Sequence, residues 1–275
     1  MFQAMAYDGL PPVARYIEKY GLGAKKSLGQ NFICDLNVVD RIARAVPELA
    51  GSAIVEVGSG PAGLTRALLY NGARRVTAIE IDPRAIAILR ELKDTFGDRL
   101  EIEEGDATKT DISRFGSARI CANLPYNISI PLLTKWIFAS DYIESMTLLF
   151  QKEVARRICA KPGSKEYGRI SALAQLCYRP RILFDIAPSC FVPQPKVVSS
   201  ATAFDRIAER PSLADLRAVE ETTKIAFGQR RKMLRANFAE RELAAAGIDP
   251  RARAEELSPW DFLALARGRA RPRRG

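Results

Sequence analysis

Between residues 52 and 151, short β-rich runs alternate with helical patterns, and this alternation constrains the fold more than any other feature of the chain. Such alternation is typical of βαβ units and a mostly parallel sheet. We predict five strands of the sheet at 53–57, 75–79, 100–103, 118–122 and 146–150. We predict helices at 64–70, from 83 onward, at 153–159 and at 169–178. Two further strands, at 182–186 and 197–204, are predicted to complete the sheet as a hairpin pair. The first predicted domain is therefore α/β and Rossmann-like.

The pattern changes after about residue 208, where no strand signal remains. Helical periodicity there predicts helices at 213–226, 231–243 and 259–266. We therefore expect a small all-α C-terminal domain, with the boundary near residues 205–211.

Composition removes several classes of chemistry. The chain contains no histidine, which excludes Ser-His-Asp and Cys-His hydrolysis. The five cysteines form no C-x-x-C pair, so we expect free thiols in a reducing cytoplasm and no metal site. No apolar run approaches the roughly 18 residues that cross a bilayer, and the N-terminus lacks the apolar segment of a secretory signal. An enzyme of this composition must use carboxylates, lysine, tyrosine or a reactive cofactor.

A glycine-rich turn follows the first predicted strand of the α/β region. Gly58, Gly60 and Gly63 form G-x-G-x-x-G between a strand and a helix, and Glu80 lies at the spacing of a ribose-binding acid. A nicotinamide or flavin enzyme is therefore an open alternative.

Two residues of the turn favour S-adenosylmethionine instead. Glu56 places a carboxylate beside the turn, which is unfavourable next to a pyrophosphate but suits a cationic aminoacyl-sulfonium. Pro61 removes one N–H that would otherwise face a phosphate. Glu80 would then accept both ribose hydroxyls, and Asp106, after the third strand, would accept from the adenine amine. The cofactor contacts that we predict around these two acids include Ile81 and Ala107.

The fourth strand leads directly into Asn123, Leu124, Pro125 and Tyr126. An asparagine oxygen and a backbone carbonyl can accept the two N–H bonds of an exocyclic amine, and a tyrosine ring can stack on a base. Taken alone, the four residues are equally typical of a turn. Their position after three strand ends that carry cofactor contacts predicts a site for methyl transfer to a base amine.

Over residues 25–265 the chain resembles the ribosomal RNA adenine N6,N6-dimethyltransferase family. The resemblance rests on the residues above and on four further segments, 26–33, 149–154, 164–170 and 191–197. It implies a class I S-adenosylmethionine-dependent methyltransferase fold without a metal. It also implies that Gln30, Asn31 and Ile33 contact the cofactor, as does Asn123, and that Phe191 packs against the target base opposite Tyr126.

The resemblance implies dimethylation at N6 of two adjacent adenines in a hairpin loop near the 3′ end of small-subunit rRNA, within ribosome biogenesis. The expected partner is small-subunit rRNA or the pre-30S subunit, and the expected state is a cytoplasmic monomer. Related enzymes that methylate a large-subunit rRNA adenine and confer antibiotic resistance are an alternative. A nicotinamide oxidoreductase and a non-catalytic rRNA-binding assembly factor are alternatives of other classes.

The charge of the chain favours a polyanionic partner. Lysine and arginine number 42 against 32 acidic residues, a net charge of +10. Within 226–235, a stretch similar to the family's basic helix start, we predict that Arg230, Arg231, Lys232 and Arg235 bind RNA; a solvated helix face is the alternative. The predicted division is a leader (1–24), a methyltransferase domain (25–208), a helical RNA-binding domain (209–267) and a disordered basic tail (268–275).

Overall fold

The computed structural model describes residues 10–23 and 29–270. Its strands are β1 (Phe32–Ile33), β2 (Ala53–Val57), β3 (Arg75–Glu80), β4 (Leu100–Glu104), β5 (Ala118–Ala122), β6 (Ile143–Gln151), β7 (Tyr178–Ile186), β8 (Phe191–Val192) and β9 (Ser199–Arg206). Its α-helices are α1 (Val13–Lys19), α2 (Leu36–Arg44), α3 (Gly63–Tyr70), α4 (Pro83–Phe96), α5 (Tyr126–Phe138), α6 (Lys152–Ile158), α7 (Arg169–Gln175), α8 (Leu213–Gly228), α9 (Glu240–Ala245) and α10 (Pro259–Ala270).

Seven strands form one sheet in the order β4-β3-β2-β5-β6-β9-β7. The strands from β4 to β6 pair in parallel, whereas β9 pairs antiparallel with both β6 and β7. Because β2, β3, β4 and β5 are parallel, their carboxyl ends lie at one edge of the sheet. The strand order reverses between β2 and β5. Open α/β sheets bind their ligands in the crevice at such a switch point.

The core lies on both faces of the sheet. Neighbouring residues of β2 point to opposite faces, as the period of two requires: Ile54 joins the cluster formed with α1 to α4, and Val55 joins the cluster formed with α5 to α7. The second cluster continues into the C-terminal helices through residues such as Leu216 and Phe262. The helical region after β9 therefore shares its hydrophobic core with the α/β layers.

Part of the predicted leader belongs to the α/β core. In helix α1, Tyr16 is 1% exposed, and Leu22 after it is fully buried. Arg66 of α3 donates a hydrogen bond of 2.7 Å from Nη1 to the Pro11 carbonyl, which fastens the start of this segment. Residues 10–23 carry none of the motifs that define the resemblance, so local sequence gives no sign that they belong to the domain.

Two predictions for the C-terminal region are wrong. The helix expected at 231–243 is replaced by a short 3-10 turn at Leu234–Ala236 and by α9, because Met233 pairs with Arg253 in an isolated β-bridge. The tail was expected to be disordered from residue 268, but α10 continues to Ala270, and Arg269 donates a hydrogen bond of 2.8 Å to Thr222 Oγ1. Residues 271–275 lie outside the described part of the chain.

Candidate active site

A cavity of about 340 Å³ opens where the carboxyl ends of β2 to β5 meet. Its wall is built from β1 and the two residues before it, the turn after β2, the end of β3 and the segments that follow β4 and β5. The predicted cofactor and amine contacts that line it are Gln30, Asn31, Ile33, Glu56, Gly58, Gly60, Glu80, Ile81, Asp106, Ala107, Asn123, Leu124, Pro125 and Tyr126. Residues 24–28, the first part of the N-terminal motif, lie outside the described residues.

The turn after β2 depends on glycine at its centre. Gly60 has φ +51°, and a Cβ atom there would lie 2.9 Å from two carbons of the Phe32 ring. Gly58 also has a positive φ, and its N–H donates to the Ile79 carbonyl at 2.9 Å. The backbone of the turn therefore lies close against β1 on one side and β3 on the other.

Glu80 fastens this turn to the end of β3. Its carboxylate is 5% exposed and accepts hydrogen bonds from the Gly60 N–H (3.0 Å) and, more weakly, from the Ser59 hydroxyl (3.3 Å). The N–H groups of Ile81 and Asp82 donate to its other oxygen at 2.8 and 2.9 Å. The acid predicted to bind ribose hydroxyls thus already organises the loop around it.

Glu56 is a buried carboxyl group on the cavity wall. It is 1% exposed, and the Thr65 hydroxyl donates to its Oε2 at 2.6 Å. Its Oε1 is buried and has no hydrogen-bond partner within the described part of the chain. Burial raises the pKa of this carboxyl to about 8, so the group is mostly uncharged at neutral pH unless a cation lies beside it.

The two carboxylate oxygens of Asp106 differ, because only one of them accepts hydrogen bonds from the described residues. The N–H and the hydroxyl of Thr108 donate to Oδ1 at 2.9 and 2.7 Å, and these hydrogen bonds lower the pKa of the carboxyl below its usual value. Oδ2 accepts no hydrogen bond from the described residues, so it remains available to a ligand. Across the cavity wall, Ile81 is 54% exposed, an apolar surface suited to a planar ring.

The segment after β5 presents two acceptors and a ring. Asn123 donates from Nδ2 to the Asn31 carbonyl at 2.9 Å, which leaves its Oδ1 as an acceptor. The Leu124 carbonyl accepts no backbone hydrogen bond from the described residues. Tyr126 begins α5, and its hydroxyl lies 2.6 Å from Ser199 Oγ. Burial raises the pKa of this phenol, so the hydroxyl stays protonated. Its hydrogen bond with Ser199 keeps the ring in place.

The structure does not bring Phe191 to the cavity. This ring was predicted to face Tyr126, but it is 1% exposed and is absent from the cavity lining. The physical reason is the short antiparallel pair in which Ile33 of β1 lies opposite Phe191 of β8, a pairing that places Phe191 in the apolar cluster of Phe32 and Ile33. The aromatic wall opposite Tyr126 is therefore not formed in this structure.

Sequence reasoning missed several residues that support the site. Thr65, Ser199 and Lys135 each hold one of the residues named above through a side-chain hydrogen bond. Thr65 follows the glycine turn directly, so its position was a usable signal. Ser199 and Lys135 are brought in from a distant strand and from the far end of a helix, and nothing local marks them.

The basic stretch of the C-terminal region divides into two roles. Arg230 donates to Glu255 at 2.9 Å and to the Lys165 carbonyl at 2.5 Å. It therefore joins the end of α8 to the loop before α7, and its prediction as an RNA contact stays a prediction. Arg231, Lys232 and Arg235 (the basic trio) are exposed and form no ion pair with any described residue.

Residues 10–23 and 29–270 contain neither a cluster of metal ligands nor a membrane-spanning helix. No group of three or more potential metal ligands occurs in that part of the chain, and the five cysteines are free. None of its helices combines the length and apolar character that a bilayer crossing requires.

Comparison with known proteins places the chain in a family. The model of the family described as ribosomal RNA adenine dimethylase matches residues 21–268. The chain is 50% identical to the ribosomal RNA small subunit methyltransferase A of Mesorhizobium japonicum, with 95% of this chain and 99% of that protein covered. It is 48% identical to the protein of the same name from Rhodospirillum rubrum, with 94% and 93% covered.

Solved structures agree with this placement. The structure is similar to a dimethyladenosine transferase from Plasmodium falciparum, with a TM-score of 0.71, 27% identity, and 83% of this chain and 94% of that chain covered. It is also similar to the 23S rRNA methyltransferase ErmE, with a TM-score of 0.66, 25% identity and coverage of 86% and 98%. The architecture that this chain shares with both solved structures is the Rossmann-like α/β fold described above. The chain belongs to the ribosomal RNA adenine dimethylase family.

Proposed function

We propose that this protein transfers methyl groups from S-adenosylmethionine to N6 of adenine in small-subunit rRNA and forms N6,N6-dimethyladenine. The observation that carries the proposal is the pair of free acceptors, Asn123 Oδ1 and the Leu124 carbonyl, on the wall of the cavity at the sheet's switch point. The relatives that are about 50% identical over nearly their whole length carry the name of small-subunit rRNA methyltransferases.

The residues of the cavity fit S-adenosylmethionine. The orphaned Oε1 of Glu56 is a buried acceptor that suits the positively charged methionine end. Asp106 Oδ2 is a free acceptor for an adenine amine, and Glu80 is placed to exchange its weak Ser59 contact for a ribose hydroxyl. When bound, this cofactor supplies a methyl group attached to a sulfonium. The sulfur departs as a neutral thioether when the methyl group is transferred, so the departure needs no metal or acid to assist it.

The acceptors of Asn123 and Leu124 act on the target amine. Its lone pair is delocalised into the adenine ring, and two acceptors that bind its N–H groups out of the ring plane localise that pair on nitrogen. The Tyr126 ring offers a face for the displaced base, and stacking of this kind contributes about 1–3 kcal/mol. Because the composition and the site contain no histidine base, positioning and fixed dipoles supply the acceleration. After the first transfer the methylated amine is positively charged and releases one N–H proton to water. The one N–H that remains can be held by either of the two acceptors.

The C-terminal region supports an RNA substrate. The basic trio lies exposed beside Arg251 and Arg253, because the 233–235 segment hydrogen-bonds to the 250–252 segment. We propose that this surface binds phosphates of small-subunit rRNA or of a pre-30S particle, that two adjacent adenines near the 3′ end are the targets, and that the protein acts as a cytoplasmic monomer. We also propose that residues 209–267 serve as the RNA-binding domain and the residues before them as the methyltransferase domain.

The other classes fit less well. A nicotinamide enzyme needs free N–H groups in the turn after β2 to hold a pyrophosphate, but the N–H groups of Gly58 and Gly60 already donate to the Ile79 carbonyl and to Glu80, and Pro61 has none. A non-catalytic assembly factor would not need the free acceptors of Asn123 and Leu124.

Asn123→Ala tests the proposal. It removes one acceptor for the target amine, so we expect dimethylation of unmethylated small-subunit rRNA to fall about 100-fold or more, with S-adenosylmethionine affinity changed by less than about threefold. Asn37→Ala, an exposed asparagine at the start of α2, is the matched control and should behave as the parent protein. Methyl transfer and calorimetry on the same preparations measure the two quantities. Wild-type rates of dimethylation by Asn123→Ala would refute the assignment.

A further inference from the structure

Three backbone carbonyls of one short turn converge on Lys135. Its Nζ donates to the carbonyls of Ala107, Thr108 and Thr110 at 3.2, 2.8 and 2.6 Å. An ammonium group has three N–H bonds and no acceptor, so these contacts use its full capacity. The turn itself is helical in character, because the N–H groups of Lys109 and Thr110 both donate to the Asp106 carbonyl. Lys135 therefore caps the carbonyl end of a single isolated turn.

This arrangement is costly to maintain. Burial lowers the pKa of Lys135, while the carboxylates of Asp111 and Asp106 partly offset that effect. A lysine with no task beyond solubility would extend its ammonium into water. Here the ammonium is instead held against the turn that follows β4.

The same turn carries the adenine end of the proposed cofactor site. Asp106 and Ala107 line the cavity, and the hydrogen bonds from Thr108 to Asp106 Oδ1 fix which carboxylate oxygen is left for a ligand. The orientation of Asp106 therefore depends on the turn, and the position of the turn depends on Lys135. Lys135 also lies on α5, which begins at Tyr126. One helix thus connects the cofactor's adenine pocket to the ring that receives the target base.

We infer that Lys135 is a positioning residue for the cofactor, which holds the turn of residues 106–110 so that Asp106 faces the adenine. The inference rests on the proposed function, since it assigns the adenine of S-adenosylmethionine to this pocket. It goes beyond that function because Lys135 is not among the residues that line the cavity.

Lys109 supplies a matched control. It lies in the same turn, is exposed, and its charge lowers the pKa of Asp106 as the charge of Lys135 does. Its side chain makes no hydrogen bond to a described residue. Lys109→Met therefore removes a positive charge near Asp106 and leaves the three carbonyl contacts intact, whereas Lys135→Met removes both the charge and the contacts.

The test is calorimetric titration of the full chain with S-adenosylhomocysteine, which contains the same adenosine. We expect Lys135→Met to weaken binding at least about tenfold, the loss that follows when a charge-assisted hydrogen bond to the ligand is misplaced, and Lys109→Met to weaken it less than about threefold. Equal losses in the two variants, or binding by Lys135→Met within about twofold of the parent, would overturn the inference. Lys135→Gln, whose side chain is one atom shorter but keeps two N–H donors, replaces Lys135→Met if the latter does not fold, and its expected loss is intermediate.

A double-mutant cycle with Asp106→Ala separates positioning from general destabilisation. If Lys135 acts through Asp106, Lys135→Met should cost less than about twofold in the Asp106→Ala background. Losses that multiply instead would show that Lys135 supports the fold and not this carboxylate, and the inference would be wrong. If the parent protein does not bind S-adenosylhomocysteine, the proposed function fails at that step, before any variant is compared.

Discussion

The buried carboxyl of Glu56 makes the stability of the free protein depend on pH in an unusual direction. In the folded protein burial raises its pKa from 4.5 to about 8, whereas in the unfolded chain the group titrates near its ordinary value. The native state therefore binds this proton more tightly than the unfolded state does. Below about pH 4.5 the titration of Glu56 does not lower the free energy of unfolding. As the pH rises the loss grows, and it reaches its full size above pH 8.

The magnitude follows from the two pKa values. Each pH unit between them costs about 1.4 kcal/mol, so the full penalty is about 5 kcal/mol and the part that develops between pH 5 and pH 8 is about 3.5 kcal/mol. Glu56→Gln keeps the shape of the side chain and cannot ionise. Its amide leaves a donor without a partner at the position of Oε1, which adds a cost of about 1–3 kcal/mol that does not depend on pH.

The pH dependence is therefore the diagnostic quantity, and the absolute stability of the variant is not. Urea denaturation of both proteins between pH 5 and pH 9, without cofactor, gives the free energy of unfolding at each pH. The variant should gain on the parent by about 3.5 kcal/mol from pH 5 to pH 8, and the two curves should run parallel above pH 8.5. A difference that stays constant with pH would refute the reasoning, since it would mean that Glu56 is already ionised in the folded protein.

Two further results are expected. Gly60→Ala should destabilise the protein by about 1–3 kcal/mol more than Gly116→Ala in the same denaturation assay, because both residues have positive φ but only at position 60 does a Cβ meet the Phe32 ring; equal losses would contradict this. In filter binding to small-subunit rRNA, replacing each member of the basic trio by alanine should reduce the slope of log K against log salt concentration by about one. Arg230→Ala should instead lower the melting temperature and leave that slope unchanged. The opposite pattern would show that Arg230 contacts the RNA.

Patterns carried by neighbouring residues were sufficient to predict which acidic and amide residues line the cavity. The boundaries of β2 and β5 agree with the prediction to the residue, because each is a short, mostly apolar run between two turn formers. Glu56, Glu80, Asp106 and Asn123 each lie at or just after a strand end, so parallel pairing was enough to bring them to one cavity.

Features set by distant pairing could not be predicted in this way. Helix α5 was not predicted, and it contains Pro131, which supplies no N–H to the helix and is typical of a break in a helical pattern. The burial of Phe191 depends on the register of a two-residue strand pair, and the role of Arg230 depends on a glutamate 25 residues away. Local sequence carries no record of either contact.

The hydrogen bond from Asn123 to the Asn31 carbonyl also decides how selective the site is. A carboxamide is nearly symmetric, since its oxygen and nitrogen have almost the same size and differ mainly in the direction in which they form hydrogen bonds. The contour of the cavity therefore cannot tell an acceptor from a donor at this position. A contact with a residue 92 positions earlier in the chain makes that choice. A change that displaced Asn31 would allow the Asn123 amide to rotate, so that the surface proposed to bind an amine would offer a donor instead, without altering any residue proposed to touch the base.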